Sequence, residues 1–157
     1  MVVNVHALAF AAAAAIALTQ PSPAPAAIPA PKLEGITLGE DPAAVMRRFA
    51  VNPRTAQITE SNGMKELMFS STTDDADLTI IFDTRIRYIA ALAPGKHSAG
   101  SDPFGIAFGD SPDRVERVRG KPDAITPQGD YYYESGGDAW TYEFQDGKLI
   151  LISVSDL

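Results

Sequence analysis

A correspondence between two parts of the chain constrains its fold more than any other feature. At an offset of 70 residues, Gly35-Ile36-Thr37-Leu38-Gly39-Glu40-Asp41-Pro42-Ala43-Ala44-Val45-Met46-Arg47 falls onto Gly105-Ile106-Ala107-Phe108-Gly109-Asp110-Ser111-Pro112-Asp113-Arg114-Val115-Glu116-Arg117. Both glycines, the isoleucine, the proline, the valine and the last arginine coincide. Composition alone rarely brings turn residues and apolar positions into register together, so the match reads as an internal repeat. The rival reading is a chance match between two helix starts.

Each copy has the same physical grammar. A short apolar strand ends at a glycine, which tolerates backbone angles closed to other residues, and an acidic residue follows. Asp41 and Ser111 stand where an N-cap belongs, with Pro42 and Pro112 at the first helical position. Val45 with Phe49, and Val115 with Val118, give each helix a small apolar stripe. The second helix stops at Gly120, with Pro122 beyond it; the first ends less cleanly near Asn52-Pro53.

After each helix the pattern becomes alternating. Leu67 to Phe69, Leu78 to Phe82 and Ile86 to Ile89 read as strands of the first copy; Tyr131 to Tyr133, Trp140 to Phe144 and Leu149 to Val154 read as strands of the second. Turns are expected at Thr72 to Asp77, Asp83-Thr84, Ser135 to Asp138 and Asp146-Gly147. The expected fold class is therefore α+β: two tandem repeats, each a short strand and short helix followed by an antiparallel three-stranded meander, with the helices packed on one sheet face. The boundaries read as repeat one at 33–93, a Gly/Ser-rich joint at 94–103 and repeat two at 104–157.

The N-terminus reads as a leader. Its first 30 residues carry no Asp, Glu, Lys or Arg, and Ala7 to Leu18 form an unbroken apolar run. At 12 residues that run is shorter than the ~20 needed to span a bilayer as a helix, and prolines at 21, 23 and 25 stop it. Ala24-Pro25-Ala26 offers a small-residue cleavage site, so residues 1–26 are expected to be a signal peptide and 27–32 a Pro/Ala-rich spacer. The n-region lacks the usual Lys or Arg, and an uncleaved anchor is the rival reading. Localisation is then periplasmic or extracellular. Cysteine is absent, which excludes disulfides and a lipid-modified cysteine. The formal charge of −7 falls wholly on the mature part and argues against a nucleic-acid or anionic-membrane surface.

Gly105-Ile106, Phe108-Gly109, Pro112, Val115, Gly120-Lys121-Pro122, Tyr133, Trp140-Thr141-Tyr142-Glu143-Phe144, Gly147-Lys148-Leu149 and Ile152 together resemble the repeat of the small outer-membrane assembly lipoproteins (SmpA/OmlA) and of the β-lactamase inhibitory protein. The second copy resembles it nearly throughout. The first lacks the Gly-Lys-Pro and the Asp-Gly of the last hairpin. The resemblance implies an exported protein that binds other proteins, the inhibitor doing so through a sheet surface; it names no partner. The missing cysteine departs from the lipoproteins and sets an outer-membrane assembly role in doubt.

Little in the sequence points to catalysis. His97, the only histidine of the mature part, lies in the Gly/Ser-rich joint, a poor support for a catalytic group. Gly109-Asp110-Ser111-Pro112-Asp113 lacks the second glycine of a nucleophile elbow, and the N-cap reading accounts for Ser111. Gly95-Lys96-His97-Ser98 lacks the earlier glycine of a phosphate loop. Asp74, Asp75 and Asp77 lack the glycine and distal glutamate of a calcium loop and read as a solvated turn. No cofactor or metal is implied.

The aromatic face of Trp140, Tyr142 and Phe144 reads as core, which sends Thr141 and Glu143 outward. From Leu149 to Val154 both sides of the strand are apolar: Leu149 and Leu151 on one, Ile150, Ile152 and Val154 on the other, so a second burial partner is demanded. Ile81 makes the same demand in the first copy. Arg85 and Arg87 beside it read either as a frame for an acidic partner or as solvated edge charges. The candidate binding residues are thus Ile81, Arg85, Arg87, Thr141, Glu143 and Ile150. The functional expectation is an exported, non-enzymatic module that binds another, unidentified protein, without nucleic acid and without a membrane span after processing. The alternatives are an envelope hydrolase whose carboxylates converge only in the fold, and a structural accessory subunit.

Overall fold

In a computed structural model of the chain, the residues described are 31–52, 54, 56–70, 77–93 and 102–157. The expected leader and most of the expected spacer, Asp74 and Asp75 of the expected acidic turn, and most of the expected joint with His97 lie outside them.

The chain enters through a ribbon, β1 (Lys32–Leu33) and β2 (Ile36–Thr37), whose register pairs Leu33 with Ile36. Its turn, Glu34-Gly35, has positive φ at both positions (49° and 79°), the conformation of a tight hairpin turn. Helix α1 (Pro42–Arg48) follows, then β3 (Ile58–Ser61), β4 (Met64–Ser70), β5 (Asp77–Phe82) and β6 (Ile86–Leu92). The second half gives α2 (Pro112–Arg119), β7 (Ala124–Ile125), β8 (Tyr131–Ser135), β9 (Asp138–Gln145) and β10 (Lys148–Asp156).

The local grammar of the helix starts is present. Asp41 caps α1 by accepting the Ala43 N–H at 3.1 Å, and Ser111 caps α2 by accepting the Arg114 N–H at 3.3 Å. Gly39 and Gly109 both have positive φ, and their N–H groups donate to Ile86 and Leu149 at 2.8 Å, docking each pre-helix turn onto a strand. Gly120 ends α2 at φ 83°.

The architecture does not follow from that grammar, and the expectation of two tandem α+β units is corrected. The chain is mostly β. One eight-stranded antiparallel sheet, ordered β3-β4-β5-β6-β10-β9-β8-β7, runs through both halves, with the two-stranded ribbon and two short helices beside it. The physical reason is the β6–β10 seam, five residue pairs from Leu151↔Leu92 to Ser155↔Tyr88, which joins the last strands of the two halves. Helices of seven and eight residues span only ~10–12 Å and contribute a minor layer. Each half also places four strands in the sheet where three were expected, because the polar β3 and the two-residue β7 carry no alternating apolar signal.

All of these parts share one core. Leu33, Ile36, Val45, Ile106 and Val115 from the ribbon, turns and helices pack with Leu67, Leu78, Ile80, Ile89, Trp140, Tyr142, Ile152 and Val154 from the sheet. The helices and ribbon therefore cover one sheet face, and the strand register defines the other.

Candidate functional site

The pairs Met68↔Thr79, Thr79↔Ala90, Ala90↔Ser153, Ser153↔Thr141 and Thr141↔Tyr132 lay one row of side chains across six strands on the face away from the helices. The middle of that row is small. Ala90 and Ser153 are only 6% and 5% exposed, recessed between larger neighbours. On one flank stand Ile81, opposite Tyr88, and Ser155; on the other stand Leu92, opposite Leu151, and Glu143. Leu92 and Met68 are exposed, at 41% and 66%, while Ile81, Tyr88 and Leu151 are half-buried. A trough of small side chains with apolar shoulders is what this register builds. From β4 to β8 it crosses five strand spacings, ~24 Å, a width suited to a folded partner.

Three of the residues singled out from sequence meet on this face: Ile81, Thr141 and Glu143. Ile150 does not belong with them. The register between β9 and β10 shifts between Leu149 and Leu151, so Ile150 is the extra residue of a β-bulge, and its carbonyl accepts the Ala93 N–H at 2.9 Å. The bulge also resolves the strand that looked apolar on both sides. Leu149 faces the core with Ile152 and Val154, and the outer row is Leu151, Ser153 and Ser155.

Arg87 is likewise a bulge residue, falling between the pairs Ile81↔Tyr88 and Phe82↔Ile86. Its guanidinium is engaged by Asp83 at 3.2 Å and Asp156 at 2.8 Å, so its charge is answered inside the chain. Arg85 sits in the adjoining turn, where its backbone N–H donates to Asp83 at 2.8 Å. That bond, followed by the Arg87 contact, holds the Asp83 carboxyl down at about 2. Of the two readings of these arginines, exposed edge charges accord better with the geometry, and together with Asp83 they form a local turn lock at one end of the face.

One polar constellation was missed from sequence. The Tyr142 hydroxyl donates to Asp102 Oδ2 at 2.6 Å and accepts from Arg119 at 2.6 Å, while Asp102 Oδ1 accepts the N–H groups of Phe104 and Ile106 at 2.9 Å. Arg119 lies over the Phe104 ring at 3.8 Å from its centroid and over Tyr133 at 4.6 Å. Burial, then the neighbouring Asp102, pushes the Tyr142 phenol far up; burial pushes Tyr133 up to about 12, against the opposing pull of Arg119. Phenols held protonated, Tyr142 between Asp102 and Arg119 and Tyr133 donating to the Gly120 carbonyl at 2.9 Å, tie α2 to the sheet rather than offer a nucleophile. Residues 102, 119 and 142 share no sequence spacing, and only the buried placement of Asp102 reveals the group.

A groove of about 500 Å³ opens at the β3 side of the sheet, lined by residues that include Phe49, Val51, Gln57, Glu66, Met68 and Phe69. Among the described residues, Glu66 is the one titratable side chain in its lining. Among the described residues no group of three His, Cys, Asp or Glu side chains is placed to hold a metal ion, and no helix is long and apolar enough to cross a membrane.

No known protein family matches the chain, and no curated protein sequence matches it. Two solved structures share its fold. One is a DUF4309 family protein (YjgB) from Bacillus subtilis, 14% identical, with a TM-score of 0.56 over 79% of this chain and 84% of that one. The other is a cysteine-rich secretory protein (SAV1118) from Staphylococcus aureus, 11% identical, with a TM-score of 0.56 over 80% of this chain and 46% of that one. The chain thus spans less than half of the staphylococcal protein. Neither is described as an enzyme, and at these identities the likeness is one of fold.

Proposed function

We propose that the protein is an exported, non-enzymatic binding module of the cell envelope or periplasm that engages another protein through the open face of its eight-stranded sheet. The observation that carries this reading is the trough itself: recessed Ala90 and Ser153 between the apolar shoulders Ile81, Tyr88, Leu92 and Leu151, on the face that neither helix covers. An apolar row left to water is costly unless something covers it. The structural role of the Tyr142 cluster supports binding over hydrolysis. The resemblance to envelope binding proteins and the secretory description of one structural neighbour accord with export.

The test is a charged substitution on the shoulder. Leu92→Lys, at an exposed position opposite Asp77, is expected to abolish crosslinking to the partner in the native host while leaving the unfolding free energy from urea titration within about 0.5 kcal/mol of wild type. Undiminished crosslinking from that variant would contradict the proposed surface. For export, the intact mass from the native host is expected to begin near Ala27, and full-length protein in the cytosol would contradict it.

A further inference from the structure

The open face has a charge as well as a shape. Its register positions carry four carboxyl groups, Glu66, Asp77, Glu134 and Glu143, on β4, β5, β8 and β9. Lys148, paired with Gln145 at the β9–β10 hairpin tip, is the basic residue in register on this face, and Arg87 at the opposite end is neutralised by Asp83 and Asp156. The acidic character deepens toward β8. The Glu134 N–H donates to Asp123 at 2.8 Å, and Asp130 lies close enough to Glu143 to raise its pKa, second to burial. None of Asp123, Asp130, Glu134 and Glu143 has an ion-pair partner among the described residues. Glu143 is half-buried beside Leu151, so its charge stands at the edge of the apolar trough where an opposite charge would be felt.

A face that keeps uncompensated carboxylates around an apolar centre selects for a partner of opposite sign, because like charges brought together there are penalised and complementary ones speed the encounter. We infer that the partner is a protein with a cationic surface, whose lysine or arginine side chains meet Glu134 and Glu143 while apolar groups fill the trough at Ala90 and Ser153. This rests on the sheet-face reading above and adds the charge of the partner to it.

The experiment uses the full chain, ¹⁵N-labelled, titrated with an alternating Leu-Lys octapeptide and separately with its Leu-Glu counterpart. The Leu-Lys peptide is expected to shift the amides of Ala90, Thr141 and Ser153, and to bind about tenfold more weakly when salt is raised from about 0.05 M to 0.3 M. The double variant Glu134→Gln/Glu143→Gln, isosteric and on the outer face, is expected to lose about fivefold in affinity for it. Equal binding of the two peptides at this face, or preference for Leu-Glu, would overturn the cationic assignment while leaving the face as the binding surface. Shifts confined to other surfaces, or none with either peptide, would overturn both.

Discussion

Removing one oxygen atom from the core gives the sharpest test of what holds the second helix to the sheet. Tyr142→Phe keeps the ring, which is fully buried and meets Tyr133 edge-on at 5.7 Å, and deletes only the hydroxyl. Two bonds of 2.6 Å vanish, the one donated to Asp102 and the one accepted from Arg119. Asp102 is 3% exposed, so its Oδ2 is left in the interior with no water to replace the phenol, while Oδ1 keeps the Phe104 and Ile106 N–H groups. Arg119 is half-buried and can turn toward solvent, so its loss is smaller. Orphaning one buried acceptor costs about 1–3 kcal/mol, and the Arg119 bond adds a fraction of that, for a total of about 2–3 kcal/mol. With a urea slope of about 1–3 kcal/mol/M, the midpoint should fall by roughly 1–2 M with the slope unchanged. Asp102→Ala should cost more, about 3–4 kcal/mol, because it strands two backbone N–H groups as well as the phenol. The double variant should show about 1–2 kcal/mol of coupling. A loss under about 0.5 kcal/mol for Tyr142→Phe, or strict additivity with Asp102→Ala, would refute the reasoning.

The Asp83 carboxyl should titrate near 2 in a carbon-detected NMR experiment. Because this folded pKa lies below the unfolded value, its contribution to stability is full above about pH 4 and is lost as pH falls toward 2; Arg87→Ala should raise the pKa and shrink the effect. Ser111→Ala should cost about 1 kcal/mol by removing the acceptor for the Arg114 N–H, measured by urea unfolding. Gly109→Ala should cost about 1–2 kcal/mol although nothing lies within 4 Å of the added Cβ, since the penalty is the positive φ of 86° and not a clash. Trp140, 2% exposed with Phe104 edge-on at 5.5 Å, should emit in the blue and resist acrylamide; Phe104→Ala should raise its quenching.

What the sequence made legible was local. A proline after Asp41 or Ser111 and a glycine two residues before specify a capped helix start from neighbouring residues alone, and the structure has both. Trp140 and Tyr142 as core followed from alternation within a single strand. Three things resisted. The β6–β10 seam joins residues about sixty positions apart, such as Leu92 and Leu151, and alternation within either strand says nothing about its neighbour. That seam converts the expected pair of α+β units into one mostly β sheet. The bulges at Ile150 and Arg87 shift the facing of every residue beyond them, so the period of two sent Ile150 outward, and Ile152 and Val154 with it, where the outer row is Leu151, Ser153 and Ser155. Asp102, next to a proline in a Gly/Ser-rich stretch, carried the signature of a solvated turn; its burial against Tyr142 is a tertiary fact. For the candidate face, Thr141 and Glu143 were readable from one strand, whereas the trough needs six strands in register.

The central claim is that the open face, and not the helix side, meets the partner. Its most direct measurement places a photo-crosslinking amino acid at Thr141 on the open face and, in a separate variant, at Lys121 just beyond α2, an exposed position outside the sheet. Both are irradiated in the native host and the adducts compared by mass. The account predicts a discrete partner adduct from Thr141 and none from Lys121; adduct formation from Lys121 with none from Thr141 would contradict it.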